Sequence, residues 1–544
     1  MPALSILLWL PAACGLIGAL LPSAMGPAPA PATAPGGGVR RRASPGGLLA
    51  LLGSLAALGL AIAYIADYRT GTGGLQHVTD TMWIRALGIH YKLAVTGLNV
   101  ILVGLTTLLF AAAILATNLR AAGPPERARL FYFQLLLAES AVLGAFLAQD
   151  LILFVAFFDL MLIPFYFLIG AWGRDPEGST RVRATTKLVI YTLVGSLLML
   201  AGAIAAGVLS AQQNGGHIDF AFTSLAQMPL GTGSQEWIFL LFAAAFLVKM
   251  PAFPLHGWMP DGYRAMPIEV LMVFSGVLSK VGAYGFLAIV LPLFPQAAVH
   301  FQSLMLLIGL VSIVYGSMQA FTQTDVRLIA GYSSVAQLGF ITLGIFALNS
   351  QGAQGALLQM VNHGLVVAPL LFITALLAQR AGGSEDIRHM GGIAFRAPVL
   401  ASAFLIVALA TLAIPGSGNF VGEFLILLGV FKAKQAIAII AFVGVVMASV
   451  YALRLFIRSM HNRVGSGVHS REMTARDGAV LVPIVAVILF FALYPQLALK
   501  RSERSVKRAV AGASISAYCG AHPQCHLFAG RRTLDLDTTF NALK

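Results

Sequence analysis

The feature that most constrains this chain is a succession of apolar runs, each close to the roughly 20 residues that a helix needs to cross a bilayer. Fourteen such runs follow one another, near residues 3–21, 46–66, 97–117, 131–148, 150–171, 186–208 and 235–254, then 268–292, 300–320, 327–347, 353–378, 398–427, 435–457 and 478–497. The linkers between them are short, and none has room for a soluble domain. Hydrophobic residues make up 58% of the chain and charged residues 10%, against about 25% charged in soluble domains. There is too little polar side chain to cover a water-soluble globule. The first run, Ala3 to Leu21, has no basic residue before it; a cleavable leader opens with a positive segment, so this run reads as a retained span.

The net charge of +14 does not indicate nucleic acid, because the basic residues sort with the connections. Counting the runs places Arg40–Arg42, Arg120, Arg127, Arg129, Arg174, Arg181, Arg183, Lys187, Arg264, Arg327, Arg380, Arg388, Arg396, Arg454, Arg458, Arg463, Arg471 and Arg476 on one side. The loops of the other side hold Arg69, Arg85, Lys92, Lys432 and Lys434. The positive-inside rule makes the first side cytoplasmic and puts both termini outside, in a cell inner (plasma) membrane. The tail after Pro495 resists this order, since it carries Lys500, Arg501, Arg504, Lys507 and Arg508 on the outer side. The run Ala28–Gly38, rich in Ala, Pro and Gly, reads as a flexible loop.

The three cysteines, Cys14, Cys519 and Cys525, are too few for the four thiolates of an iron–sulfur cluster. The chain also lacks a phosphate-binding glycine motif, so nucleotide binding has no support. We expect no cofactor in this chain. The spacing in "CGAHPQCH" (519–526) suggests a metal or a disulfide, but incidental residues of a loose tail are the simpler reading.

Ionisable groups inside apolar runs carry the functional signal: Glu139, Asp159, Lys249, Lys280, His363 and Glu423. Each costs about 2.5–3.5 kcal/mol at a helix centre, so such residues are rare and usually functional. A single one has an even chance of being a snorkelling or structural charge. Six, on six separate spans, are the ingredients of a proton relay. Two lie beside helix breakers. Lys249 precedes Met250-Pro251-Ala252-Phe253-Pro254, and Glu423 follows Ile414-Pro415-Gly416-Ser417-Gly418-Asn419. A broken helix at membrane depth is tolerated where it is buried in protein or lines a watery cavity, and paired breaks in two halves mark the ion path of a duplicated transporter. The expected fold is an all-α polytopic membrane protein of about fourteen transmembrane helices. It holds two inverted five-helix repeats (spans 4–8 and 9–13) with helices 7 and 12 broken. The divisions are 1–130 for helices 1–3, 131–292 for the first repeat, 300–457 for the second, 478–497 for helix 14, and 498–544 for a basic tail.

The segments "FFDLMLIPFYFLIGAWG" (157–173), "VKMPAFPLHGWMPDGY" (248–263), "LSKVGAYG" (278–285), "QTDVRLIAGYSSVAQLGF" (323–340) and "IPGSGNFVGEFLIL" (414–427) resemble the antiporter-like subunits of respiratory complex I. The resemblance runs from about residue 85 to about 490. The K-M-P-x-x-P-L-H-G-W-x-P-D block is specific to this superfamily, which also includes the large subunits of multisubunit cation/proton antiporters; a subunit of such an antiporter or of a membrane-bound hydrogenase is the alternative function. Glu423 stands where the L and N types and the antiporters carry lysine, which is similar to the M type, the counterpart of mitochondrial subunit 4. The resemblance implies a proton relay from the Asp159–Lys249 pair through Lys280 and His363 to Glu423, with Glu139 as a second carboxylate on helix 4. It implies coupling to quinone reduction in other subunits, which hold NADH, flavin, iron–sulfur clusters and quinone. It also implies L- and N-type subunits as partners. Two departures stand out. Asp159 replaces the usual glutamate, so its contact with Lys249 is expected to be looser or water-bridged. Gln337 replaces a histidine often found on helix 10. For His256 the resemblance suggests a structural hydrogen-bonding role.

Overall fold

A computed structural model describes residues 3–21, 44–120, 123, 125–175, 178–213, 215–465 and 467–521. The flexible-loop reading of Ala28–Gly38 and the placement of Arg40–Arg42 fall outside the described residues. Among the described residues, eleven helices are long and apolar enough to cross a membrane, from Pro45–Asp67 to Ala475–Leu493. Leu4–Leu20 and Pro398–Thr411 are shorter apolar helices.

Burial divides the helices into a centre and a rim. Val326–Phe346 is buried along its whole length, and Ile268–Leu293 and Ser350–Arg380 over nearly all of theirs. Pro45–Asp67, Gln435–Met460 and Ala475–Leu493 are buried over only 33%, and they turn out large apolar side chains such as Leu52, Ile62, Phe442, Val446 and Phe490. An apolar exterior around a packed centre is the distribution that lipid requires. The central helices therefore need little amphipathic patterning, since every face meets protein.

Both expected breaks are present. The first helix half, Thr232–Lys249, ends at Lys249, and Met259–Ala265 begins after a non-helical turn. Trp258 Nε1 donates to the Val248 carbonyl at 3.1 Å, and the Phe253 amide donates to Ser312 Oγ at 3.0 Å, so groups released by the prolines find partners. The second break separates Pro398–Thr411 from Gly418–Ala433. There the Ser417 hydroxyl caps the Phe420 amide at 3.2 Å, and Asn362 Nδ2 donates to the Gly418 carbonyl at 2.6 Å.

Two features depart from the sequence reading. Residues 76–95, passed over as a loop, form an antiparallel hairpin of β1 (Gln76–Ile84) and β2 (Ile89–Val95). It is pinned by Asp80, which takes His90 Nδ1 at 2.8 Å and Lys92 Nζ at 3.0 Å. The stretch read as a basic tail begins with a 26-residue helix, Gln496–Ala521. Its apolar side buries Ala498, Val506, Ala509, Val510 and Ala513. Arg501 Nε donates to the Ile65 carbonyl at 3.0 Å, Arg504 to that of Gly71, Ser505 Oγ accepts from the Gly97 amide at 3.1 Å, and Ser514 Oγ donates to the Leu348 carbonyl at 2.6 Å. The helix therefore lies across the end of the bundle opposite Arg120 and Arg327. Several of its basic residues are structural clamps, which explains why they do not follow the charge sorting of the loops. Cys519 lies in its last turns; the remainder of the Cys/His motif, from His522 onward, is outside the described residues.

Candidate functional site

Close helix approaches set the site. Gly276 and Gly364 let Ile268–Leu293 and Ser350–Arg380 meet closely: a Cβ on Gly364 would press on the Gly276 carbonyl, and one on Gly276 would meet Leu109. Lys280 and His363 follow from that contact. Gly422 leaves room for the Gln359 side chain, and a Cβ on Gly355 would press on the Gly422 carbonyl, so Gly418–Ala433 lies close on Ser350–Arg380 with Glu423 buried.

Lys280 is fully buried. The preceding segment, Phe274–Leu278, is a π-helical turn, a widening often found at functional positions in helices. Lys280 Nζ folds back over it and donates to the Ser275 carbonyl at 2.6 Å and to Ser279 Oγ at 3.2 Å. Lys249, also buried, sits 4.6 Å over the Phe158 ring. Among the described residues no carboxylate is within ion-pair distance of it. Asp159 faces Ser196 instead, and its Oδ1 is buried without a partner. The expected pair is thus neighbouring but not in contact, in keeping with the shorter side chain.

Glu423 is held by amides. Gln337 Nε2 donates to its Oε1 at 2.8 Å and Gln359 Nε2 at 3.4 Å, while Gln359 also donates to Gln337 Oε1 at 2.7 Å. Glu139 accepts from Ser54 Oγ at 3.1 Å. His363 is buried on Ser350–Arg380. His256 does not take the expected hydrogen-bonding part: its ring packs 4.9 Å from Tyr315 and 5.7 Å from Phe253, and its buried Nδ1 has no partner. Sequence reasoning missed Gln359 and Ser54, because neutral polar side chains in a helix raise no alarm. Their one signal was position, buried beside a charge.

Glu139 Oε2, Asp159 Oδ1, His363 Nδ1 and Glu423 Oε2 share a property: each is a buried polar atom that no protein group reaches. Native interiors leave few such atoms, and each one calls for an explanation. Here they coincide with four of the six ionisable residues singled out by their membrane position.

Residues 148–449 match the family model described as NADH:quinone oxidoreductase/Mrp antiporter, transmembrane. The chain is 34% identical over 504 residues to NADH-quinone oxidoreductase subunit M of Rhodobacter capsulatus, covering 91% of this chain and 93% of that one. It is 36% identical over 447 residues to the subunit M of Escherichia coli K12, covering 81% and 87%. Its fold superposes on a chain of respiratory complex I from Thermus thermophilus with a TM-score of 0.81 at 28% identity, over 93% of this chain and 98% of that one. With its packed helix centre and its carboxylate on the second broken helix, the chain belongs to the antiporter-like M subunits of NADH-quinone oxidoreductase.

Proposed function

We propose that this subunit carries protons across the membrane through Asp159, Lys249, Lys280, His363 and Glu423, with Glu139 as an accessory carboxylate, driven by quinone reduction in neighbouring subunits. The observation that carries the reading is the coincidence just described. A relay residue needs one contact to hold it and one free position to exchange a proton. Glu423 has Oε1 bound by amides and Oε2 free, and Glu139 has Oε1 bound by a hydroxyl and Oε2 free. Asp159 acts by its field on Lys249 across a short gap, and protons pass to Lys280 and His363 over water.

The proposed fourteen crossings are the eleven long helices together with Leu4–Leu20 and the two broken helices. On this reading spans 4–8 and 9–13 are inverted repeats, both termini face outward, and L- and N-type subunits flank the chain in the bilayer. The deciding experiment is Glu423→Gln in the assembled complex, reconstituted in proteoliposomes. Assembly should be retained and pumping lost, because glutamine keeps the amide contacts and holds no transferable proton. Glu423→Asp should keep part of the activity. Normal pumping by Glu423→Gln overturns the relay.

A further inference from the structure

A cleft of about 690 Å³ opens at the arginine-rich end of the bundle, lined in part by Arg120, Arg174, Arg327, Glu269 and Glu385. These five charges hold one another: Arg120 grips Glu269 with two hydrogen bonds, and Glu385 takes Arg327 at 2.7 Å and Arg174 at 2.6 Å. Arg327 also reaches inward, donating from Nη1 to the carbonyls of Met266 at 2.6 Å and Tyr263 at 3.2 Å. The cleft wall is thus tied to the backbone of Tyr263, whose ring points into the protein. That ring packs against Gly331, where a Cβ would meet it at 3.0 Å.

From the ring a line of hydroxyls continues inward. Tyr263 Oη donates to Ser275 Oγ at 2.7 Å, and Ser275 Oγ lies 3.4 Å from Ser334 Oγ, which donates its own proton to the Ala330 carbonyl at 2.8 Å. Tyr263 and Ser334 have therefore committed their protons, and only Ser275 has a choice. Its contact with Ser334 is long for an O–H···O bond and weakly held. The carbonyl of this same Ser275 accepts from Lys280 Nζ at 2.6 Å, on the widened π-helical turn.

We infer that Tyr263 and Ser275 form the last leg of proton uptake, linking the Arg327–Glu385 cleft to Lys280, with the Ser275 hydroxyl turning between Ser334 and the lysine. The inference rests on the relay reading above. A proton arriving from the cleft adds to the Tyr263 oxygen as the phenolic proton passes to Ser275 Oγ. Ser275 releases the proton it held through one water molecule to the neutral Lys280 amine, which becomes ammonium. Each hydroxyl ends with one proton, and only the lysine changes charge. No backbone movement is needed, because Lys280 is already anchored to the residue that delivers.

The test is Tyr263→Phe in the intact complex, which keeps the ring on Gly331 and removes only the hydroxyl. Proton transport per NADH oxidised should fall to the level of Lys280→Met while assembly on a native gel is unchanged. Ser275→Ala removes the middle hydroxyl without touching the ring and should give the same loss, whereas Ser275→Thr, which restores a hydroxyl, should recover transport. This rescue separates a proton path from a packing role. Should Tyr263→Phe and Ser275→Ala both pump as the parent does while Lys280→Met is impaired, the uptake route is wrong and the relay stands. Normal pumping by Lys280→Met would remove the relay and this route with it.

Discussion

Gln337 Nε2 donates to Glu423 Oε1 at 2.8 Å, so the residue that replaces a frequent family histidine is bound directly to the carboxylate at the end of the proposed path. Glutamine holds the carboxylate without titrating. Because Oε1 already receives two amide N–H groups, a proton on this acid belongs on Oε2. Gln337→Leu should leave Oε1 with only the longer Gln359 contact. Losing a partner in a buried site costs about 1–3 kcal/mol, read as a lowered melting temperature of the purified complex, together with reduced pumping. Gln337→His, with a donor of similar reach, should recover most of the stability. If Gln337→Leu matches the parent in both measurements, the amide clamp has no role.

Asp159 and Lys249 should show coupling through space. Asp159→Asn and Lys249→Met should each impair proton transport, and the double variant should cost less than the sum, since charges that act on one another are non-additive. The gap between them limits that coupling, so Asp159→Glu, one methylene longer, should be tolerated and strengthen it. A double-mutant cycle on quinone-linked transport decides this, and simple additivity would reduce Lys249 to an anchor of the broken helix.

Glu385 provides a pH signature at the mouth of the cleft. Burial works to raise its carboxyl, but the Arg327 and Arg174 guanidiniums outweigh burial and hold it below the ordinary glutamate value of 4.5. A depressed folded-state value stabilises the fold above the unfolded value and loses that effect as pH falls through the folded one. The parent should therefore melt above Glu385→Gln by a constant margin from neutral pH to about 5, and the margin should shrink as the medium is acidified below 4.5. A margin independent of pH would mean that packing, not charge, makes the contribution.

Cysteine substitutions at Arg183 and Ser224 should label from opposite sides of sealed vesicles. Arg183 lies near the start of Thr180–Gln213, and Ser224 lies beyond its other end, in Phe222–Gln227. Arg183 is expected on the cytoplasmic side. Labelling of both from one side would break the fourteen-span topology.

The membrane part of this fold was legible because lipid imposes a coarse rule on sequence: long apolar runs, basic connections, and an energetic objection to every buried charge. Lys249 and Glu423 stood out through neighbouring prolines and glycines, and both helices do break there. The rule is silent on neutral polar residues, so Gln359 and Ser54 passed unnoticed although they bind Glu423 and Glu139. It is silent outside the bilayer too. The hairpin at 76–95 mixes polar and apolar residues without strict alternation, and a register irregularity between Gln76 and Thr79 blurs it further. The 496–521 helix could have been found: Ala498, Ser502, Ser505, Val506, Ala509, Val510 and Ala513, all buried, recur at helical spacing. The count of basic residues drew attention away from that stripe.

That last helix also has a bearing on how the protein is made. Its anchors, the Ile65, Gly71 and Leu348 carbonyls, are synthesised long before it, so every span can be threaded into the membrane while that end of the bundle is still unlatched. Closure comes only when residues 496–521 emerge and cross over the finished helices. A chain that stops short of that point has its spans but lacks the contacts to these three carbonyls.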